Sequence, residues 1–272
     1  APLRRPAIAA ALLLAGATSS LAAQAPSGGN GTIYYGTYDK KVLVIDEASM
    51  AVRDSMTVAI GIPIGLTLSA DRSKLYAIDA AFEKIETFDL ASRKSLGFFT
   101  LSEGRTQVRM RGFNIDPKDR FAILMVKAAT KRSDRWEIGK NTLLRYDLAK
   151  KVVTDTIPWP DGKEREFAQI LFSPDGAYMY FFTDEDVLVY DAQTLKQVDK
   201  WDLQRSVDDG LGNWNFGFPE SLYDEPGFST GLFRTTDPVN HRTLLGVARV
   251  ELAKRTVDFY SLGPSEPVGF AL

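Results

Sequence analysis

The sequence predicts an all-β fold, a β-propeller of four-stranded blades, and three observations carry that expectation. The first is a phrase that occurs five times: an apolar residue, an acid, a short polar turn, then an alternating segment. Its copies are Ile45-Asp46-Glu47-Ala48-Ser49, Phe88-Asp89-Leu90-Ala91-Ser92, Tyr146-Asp147-Leu148-Ala149-Lys150, Tyr190-Asp191-Ala192-Gln193-Thr194 and Val250-Glu251-Leu252-Ala253-Lys254. The acids fall 43, 58, 44 and 60 residues apart, the length of one blade, with two blades enlarged by insertions. The second observation is a turn phrase at a fixed phase before the first, in Leu68-Ser69-Ala70-Asp71-Arg72, Ile115-Asp116-Pro117-Lys118-Asp119 and Phe172-Ser173-Pro174-Asp175-Gly176. The third is an alternation of period two after each acid phrase, as in Val52, Asp54, Met56 and Val58, in Asp199, Trp201 and Leu203, or in Val257, Phe259 and Ser261.

Taken in chain order, 1–25 read as an export signal: Arg4-Arg5, an apolar run from Ala7 to Leu21, then Ala22-Ala23-Gln24-Ala25. That apolar stretch suits a signal rather than a membrane span, with cleavage in 22–25. Residues 26–31 form a Gly-rich flexible lead-in. From 32 to 272 the propeller grammar runs without a break. Within each blade, a Pro that presets φ, an Asp that accepts from its own backbone and a Gly free to take φ > 0 close the turn between the first two strands. Apolar runs such as Leu75-Tyr76-Ala77-Ile78 and Tyr178-Met179-Tyr180-Phe181-Phe182 supply the second strand, the acid phrase ends the third, and the alternating segment is the outer fourth. The five acids are expected to cap turns rather than to perform chemistry, because five identical roles argue for structure.

Function would lie on loops at the channel mouth, so the insertions supply the candidates. The first, 127–140, carries Lys127, Lys131, Arg132, Arg135 and Lys140 around Trp136, a basic loop that would either dock an acidic partner such as a small electron carrier or be a solvated connection with one anchoring aromatic. The second, 205–240, holds Asp208, Asp209, Trp214, Phe216, Phe218, Tyr223, Asp224, Phe228 and Phe233. It would either form a wall for a partner subunit or a small hydrophobic amine, or fold onto its own blade. The residues singled out as binding candidates are Trp136, Arg135, Trp214, Phe216, Tyr223 and Asp224.

Composition excludes several classes. With no Cys there is no disulfide, thiolate nucleophile or c-type haem attachment, and the single His, His241, rules out a multi-His metal site. A net charge of −2 from 33 basic and 35 acidic residues gives no electrostatic case for nucleic acid. Asp184-Glu185-Asp186 reads as a solvated turn rather than a cation site. A hydrolase or lactonase propeller would need acids converging on a channel metal, and no such constellation is legible. No residue is expected to be catalytic and no metal is expected.

The phrases resemble the YVTN family of bacterial β-propellers, whose motif is loosely kept in Lys74-Leu75-Tyr76-Ala77-Ile78-Asp79 and Ala177-Tyr178-Met179-Tyr180-Phe181-Phe182. A closer similarity is to the propeller β subunit of quinohaemoprotein amine dehydrogenase. It is carried by Asp39-Lys40-Lys41-Val42-Leu43-Val44-Ile45-Asp46 with Met50-Ala51-Val52, and by the insertion ending Thr236-Asp237-Pro238-Val239-Asn240-His241-Arg242-Thr243-Leu244-Leu245. The resemblance implies a seven-bladed ring. Ser265-Glu266-Pro267-Val268-Gly269-Phe270-Ala271-Leu272 matches the lead-in Gly61-Ile62-Pro63-Ile64-Gly65-Leu66-Thr67-Leu68 and stops where the turn phrase should follow, so the chain reads as about five blades of a longer product. The resemblance further implies a periplasmic, cofactor-free scaffold or binding subunit whose partners hold the tryptophan-derived quinone and the haems. The alternative expectation is a stand-alone YVTN propeller that binds a small ligand or an envelope protein without redox chemistry.

Overall fold

The computed structural model describes residues 29–183, 186–202, 215–216, 227–237, 239, 241 and 243–264. The export segment, the last eight residues and most of the second insertion lie outside them. Five antiparallel sheets follow one another along the chain as the blades of a propeller. Blade 1 holds β1 (Thr32–Gly36), β2 (Lys41–Asp46) and β3 (Ala51–Thr57), and blade 2 holds β4 (Pro63–Leu68), β5 (Lys74–Asp79), β6 (Lys84–Asp89) and β7 (Lys94–Thr100). Blade 3 is built from β8 (Thr106–Ile115), β9 (Phe121–Lys131), β10 (Trp136–Asp147) and β11 (Val152–Ile157). Blade 4 follows with β12 (Gln169–Phe172), β13 (Tyr178–Phe182), β14 (Asp186–Asp191) and β15 (Gln197–Asp202), and blade 5 with β16 (Asn215–Phe216), β17 (Phe228–Thr236), β18 (Thr243–Glu251) and β19 (Thr256–Pro264). Each sheet keeps sequence order, so successive strands within a blade pair antiparallel.

Successive side chains on a strand point to opposite faces, and the middle strands use both faces for core. On β9, Phe121, Ile123 and Met125 pack with Met179, Phe181 and Leu188 of blade 4. Their alternates Ala122, Leu124 and Val126 pack with Tyr76 and Ile85 of blade 2. The same relation joins blade 1 to blade 2 through Val42, Val44, Met56, Leu75 and Phe88, and blade 4 to blade 5 through Val187, Trp201, Phe233 and Val250. This explains why β9 and β13 read as continuous apolar runs while β2 alternates, since β2 buries Val42 and Val44 on one face only.

The acid phrases are turns. Oδ1 of Asp46, Asp89, Asp147 and Asp191 accepts the backbone N–H three residues on, at 2.7–2.8 Å. The residue after that adopts a left-handed backbone in all five copies: Met50, Arg93, Lys151, Leu195 and Arg255 have φ of 52–58°. Glu251, one methylene longer, instead pairs with Lys254 at 2.9 Å. The earlier turn phrase ties neighbouring blades. Tyr76 Oη donates to Asp119 at 2.6 Å, with Lys74 on the same carboxylate, and Arg120, held by buried Asp116, donates to the Gly176 carbonyl at 3.1 Å.

One expectation is corrected in detail. A β-bulge between Val44 and Ile45 inserts Arg53 into the outer strand, so Val52 faces solvent while Asp54 and Met56 share the other face. Related irregularities recur in blades 2 to 5; in blade 5 the shift falls just beyond Ser261, so Val257, Phe259 and Ser261 stay on one face.

A buried carboxylate secures the passage from blade 1 to blade 2. Glu86, wholly buried, accepts from Ala59 N–H at 2.8 Å, Ile60 N–H at 3.3 Å and Ser95 Oγ at 2.6 Å. Glu86→Leu leaves these donors unsatisfied and is expected to cost about 3 kcal/mol, lowering the melting temperature by roughly 6–12 °C, with Glu86→Gln intermediate. A calorimetric melt checks this.

The turn carboxylates also set the acid limit. Asp71 falls from its ordinary 3.8 to about 2, first through the Ser69 hydroxyl, and Asp46, Asp89, Asp147, Asp175 and Asp191 shift in the same direction through their turn hydrogen bonds. A carboxylate with a depressed folded pKa contributes stability above its unfolded value and loses it as the pH falls through the folded one. Stability is therefore expected to be flat above about pH 5 and to drop between about pH 4 and pH 2, with a smaller drop in Ser69→Ala. Denaturant titrations across that range measure it.

Candidate functional site

Blade 3 departs from its neighbours. β8, β9 and β10 run 10, 11 and 12 residues, where their counterparts in blade 4 run 4, 5 and 6. The first insertion is thus not a loop. It is the extended tip of the β9–β10 hairpin, in register from Trp136↔Lys131 to Ile138↔Ala129 and closed by Arg132 N–H to the Arg135 carbonyl at 2.8 Å. β8 joins it from Thr106↔Thr130 to Met110↔Val126.

That register brings together side chains far apart in sequence. Arg109 on β8 stands directly opposite Lys127 on β9, and Lys127 directly opposite Asn141 on β10. Gln107, Ala129 and Ile138 form the next row and Lys131 with Trp136 the last. Just beyond Arg109, a bulge between Met110 and Gly112 gives Arg111 no partner in register and re-aims its side chain.

The far wall comes from the connection between blades 3 and 4, tied to Asn141 at three points. Trp159 Nε1 donates to the Asn141 carbonyl at 2.8 Å, the Asn141 N–H donates to Glu164 at 2.7 Å, and Asn141 Nδ2 donates to the Arg165 carbonyl at 3.1 Å. Asn141 Oδ1 is buried with no partner. This anchoring sets Glu166 between two cations, 3.0 Å from Arg111 and 3.5 Å from Lys127. Its carboxyl is held below the usual glutamate range, first by Asn141 and then by Lys127 and Arg111. Next to it, Phe167 lies under the Arg111 guanidinium at 5.2 Å. From blade 2, Phe82 closes the near side, its carbonyl accepting the Met110 N–H at 2.6 Å.

The result is an open cleft of about 720 Å³ lined by Phe82, Gln107, Arg109, Arg111, Lys127, Trp136, Ile138 and Phe167 with Ala128 and Ala129. It is cationic and aromatic together. No carboxylate lines it, and none of the described residues forms an ion pair with Arg109. Phe82, Trp136, Ile138 and Phe167 keep 40%, 46%, 59% and 58% of their surface exposed, so the apolar wall is uncovered. Such an arrangement can bind an anion that carries an apolar body.

Of the candidates drawn from the sequence, Trp136 lines the cleft, while Arg135 sits at the hairpin tip and pairs with its neighbour Asp134 at 3.0 Å. Arg132 pairs with Glu137 on the same tip. Trp214, Tyr223 and Asp224 lie outside the described residues. Phe216 falls in β16, in register with Phe233, and its side chain lies outside them too. The later part of the second insertion is strand β17: Phe233 is core of the blade 4–5 contact, and Phe228 carries Arg249 over its ring at 3.7 Å. His241 is exposed on the turn after β17 with φ 58°, and Asp186 pairs with Lys200 at 2.8 Å. Among the described residues no three or more metal-ligating side chains cluster. The cleft residues missed in the sequence are Arg109, Arg111, Phe82 and Phe167; the alternation Gln107-Val108-Arg109-Met110-Arg111 was the available signal for the two arginines.

No family model matches this sequence, and no curated protein does. Among solved structures, hydrazine synthase of Kuenenia stuttgartiensis is similar over 85% of this chain, at 14% identity and a TM-score of 0.51. This chain spans 63% of the length of that one. The Cps50 (Swd1) β-propeller domain of Myceliophteria thermophila is similar over 86% of this chain and 84% of its own, at 12% identity and a TM-score of 0.49. What hydrazine synthase shares with this chain is the fold alone. Likeness at this identity does not reach the amine dehydrogenase family.

Like charges directly opposite across a sheet destabilise it, and the Arg109–Lys127 pair is only partly relieved by Glu166. Arg109→Gln is therefore expected to stabilise the free protein by about 0.5 kcal/mol at low salt, with the gain vanishing at about 1 M salt. Urea unfolding at the two salt concentrations reads this out.

Proposed function

We propose that this chain is an exported, non-catalytic binding propeller that presents the tip of blade 3 to an acidic partner. The observation that carries the reading is the extended hairpin itself: Trp136 and Ile138 stand exposed on it beside Arg109, Lys127 and Lys131. Aromatic and basic side chains together form anchors for protein contacts, and a one-sign patch steers an acidic protein onto it. The resemblance to the β subunit of quinohaemoprotein amine dehydrogenase supports a scaffold role in the periplasm. In that role the quinone and the haems sit on partner subunits and this chain carries no cofactor. Export rests on Arg4-Arg5, the apolar run to Leu21 and the small residues that follow. The volume of the cleft favours a second reading, a stand-alone propeller whose ligand is a small molecule.

Purification of the full-length protein from its native periplasm tests both readings, with N-terminal sequencing, mass spectrometry and a visible spectrum of what accompanies it. A mature chain starting within or just after 22–25, haem bands and a small cross-linked subunit are expected for the scaffold, with recovery falling about tenfold in Trp136→Ala. A colourless single chain would overturn the scaffold role and leave the stand-alone binder.

A further inference from the structure

We infer that the blade 3 cleft is a small-molecule site for an aromatic carboxylate, a flat apolar ring bearing one anionic head. This deepens the binding role proposed above and does not depend on the partner. Three features select that chemistry.

The first is charge. Arg109, Arg111 and Lys127 line one cleft, and Glu166, paired with Arg111 and Lys127, compensates only part of their charge. Arg109 stays without an ion-pair partner among the described residues, its planar fork of N–H donors free to take both oxygens of a carboxylate. The opposed Arg109–Lys127 pair is unfavourable in the empty cleft and becomes favourable once an anion lies between the two heads.

The second feature is the apolar wall. A bare inorganic anion would leave Phe82, Trp136, Ile138 and Phe167 as exposed as they are now, whereas a ring laid against Trp136 and Phe167 covers them. Glu166, the carboxylate beside the cleft, is already engaged by Arg111 and Lys127, so a cationic aromatic such as an arylalkylamine meets a net positive surface there.

The third is the setting. About 720 Å³ falls within the range of small-ligand pockets. Its floor is a β-sheet and its side wall is fixed by the Asn141 contacts, and Glu166 on that wall holds the Arg111 and Lys127 heads before a ligand arrives.

Calorimetric titration of the purified full-length protein with phenylacetate, acetate, inorganic phosphate and benzylamine tests the assignment. Phenylacetate is expected to bind saturably, acetate and phosphate at least about tenfold more weakly, and benzylamine not at all. Arg109→Gln and Lys127→Gln should each weaken phenylacetate about tenfold, and Trp136→Ala about fivefold, with unchanged circular dichroism. Equal binding of phosphate or acetate, binding indifferent to Arg109→Gln and Lys127→Gln, or no saturable phenylacetate binding would each overturn it. Should phenylacetate bind while no haem-bearing partner is recovered, the ligand site stands and the partner reading falls; a recovered partner with no phenylacetate binding does the reverse.

Discussion

Every blade interior depends on one constraint: the sheet faces are apolar and must be covered by the next sheet. At about 25 cal/mol per Å² of apolar surface, a two-faced strand such as β9 has no stable alternative to lying between two others. Its residues Phe121–Val126 are all buried, three toward one neighbour and three toward the other, so none is available to a ligand. Inter-blade contact thereby fixes orientation, and variation is confined to turns, strand ends and extensions. The cleft sits where that constraint relaxes, on the part of β8 to β10 that outruns the core.

The turns show how the polar half of the sequence serves the same end. A strand packed on both faces must reverse within a few residues, and a carboxylate accepting its own backbone N–H makes that reversal without tertiary help. In the tie between blades 2 and 3, Asp119 takes Tyr76 and Lys74 while burial and that contact push the Tyr76 hydroxyl well above its usual range. In the next tie, buried Asp116 holds Arg120 and raises it. Polar ties thus run along the rim where the apolar contacts end.

The blade plan was legible because it is local and repeated. The acid at 46, 89, 147 and 191 occupies one position in one turn, and a single copy read correctly reads them all. The outer-strand bulge was not legible, since inserting Arg53 changes which face Val52 takes without altering the pattern of residue types. The hairpin tip was misread as a loop for a related reason: with water on much of both faces, 127–140 carries only the short alternation Trp136-Glu137-Ile138 to announce a strand. Arg109 and Lys127 are eighteen residues apart, and only the pairing register makes them neighbours. Trp136 was recognisable from its type alone, while the contribution of Phe82 and Phe167 required the blade-to-blade geometry.

Those same relations explain why the cleft can hold its charges. Across a short, free hairpin an Arg facing a Lys would splay the strands or slip the register. Here β9 continues from the tip into the most buried strand of the blade: its register with β10 runs unbroken from Ile123, Leu124 and Met125 to Lys127, and its register with β8 reaches Lys127 through the bulge at Arg111. The apolar core therefore supplies the free energy that keeps two cations opposed in an open groove. Glu166, carried on a separate segment and tied to Asn141, trims the repulsion without entering the groove. A blade that needed its tip for its own stability would not tolerate such a pair; this one is already buried on both faces lower down, and its tip can carry the two opposed cations.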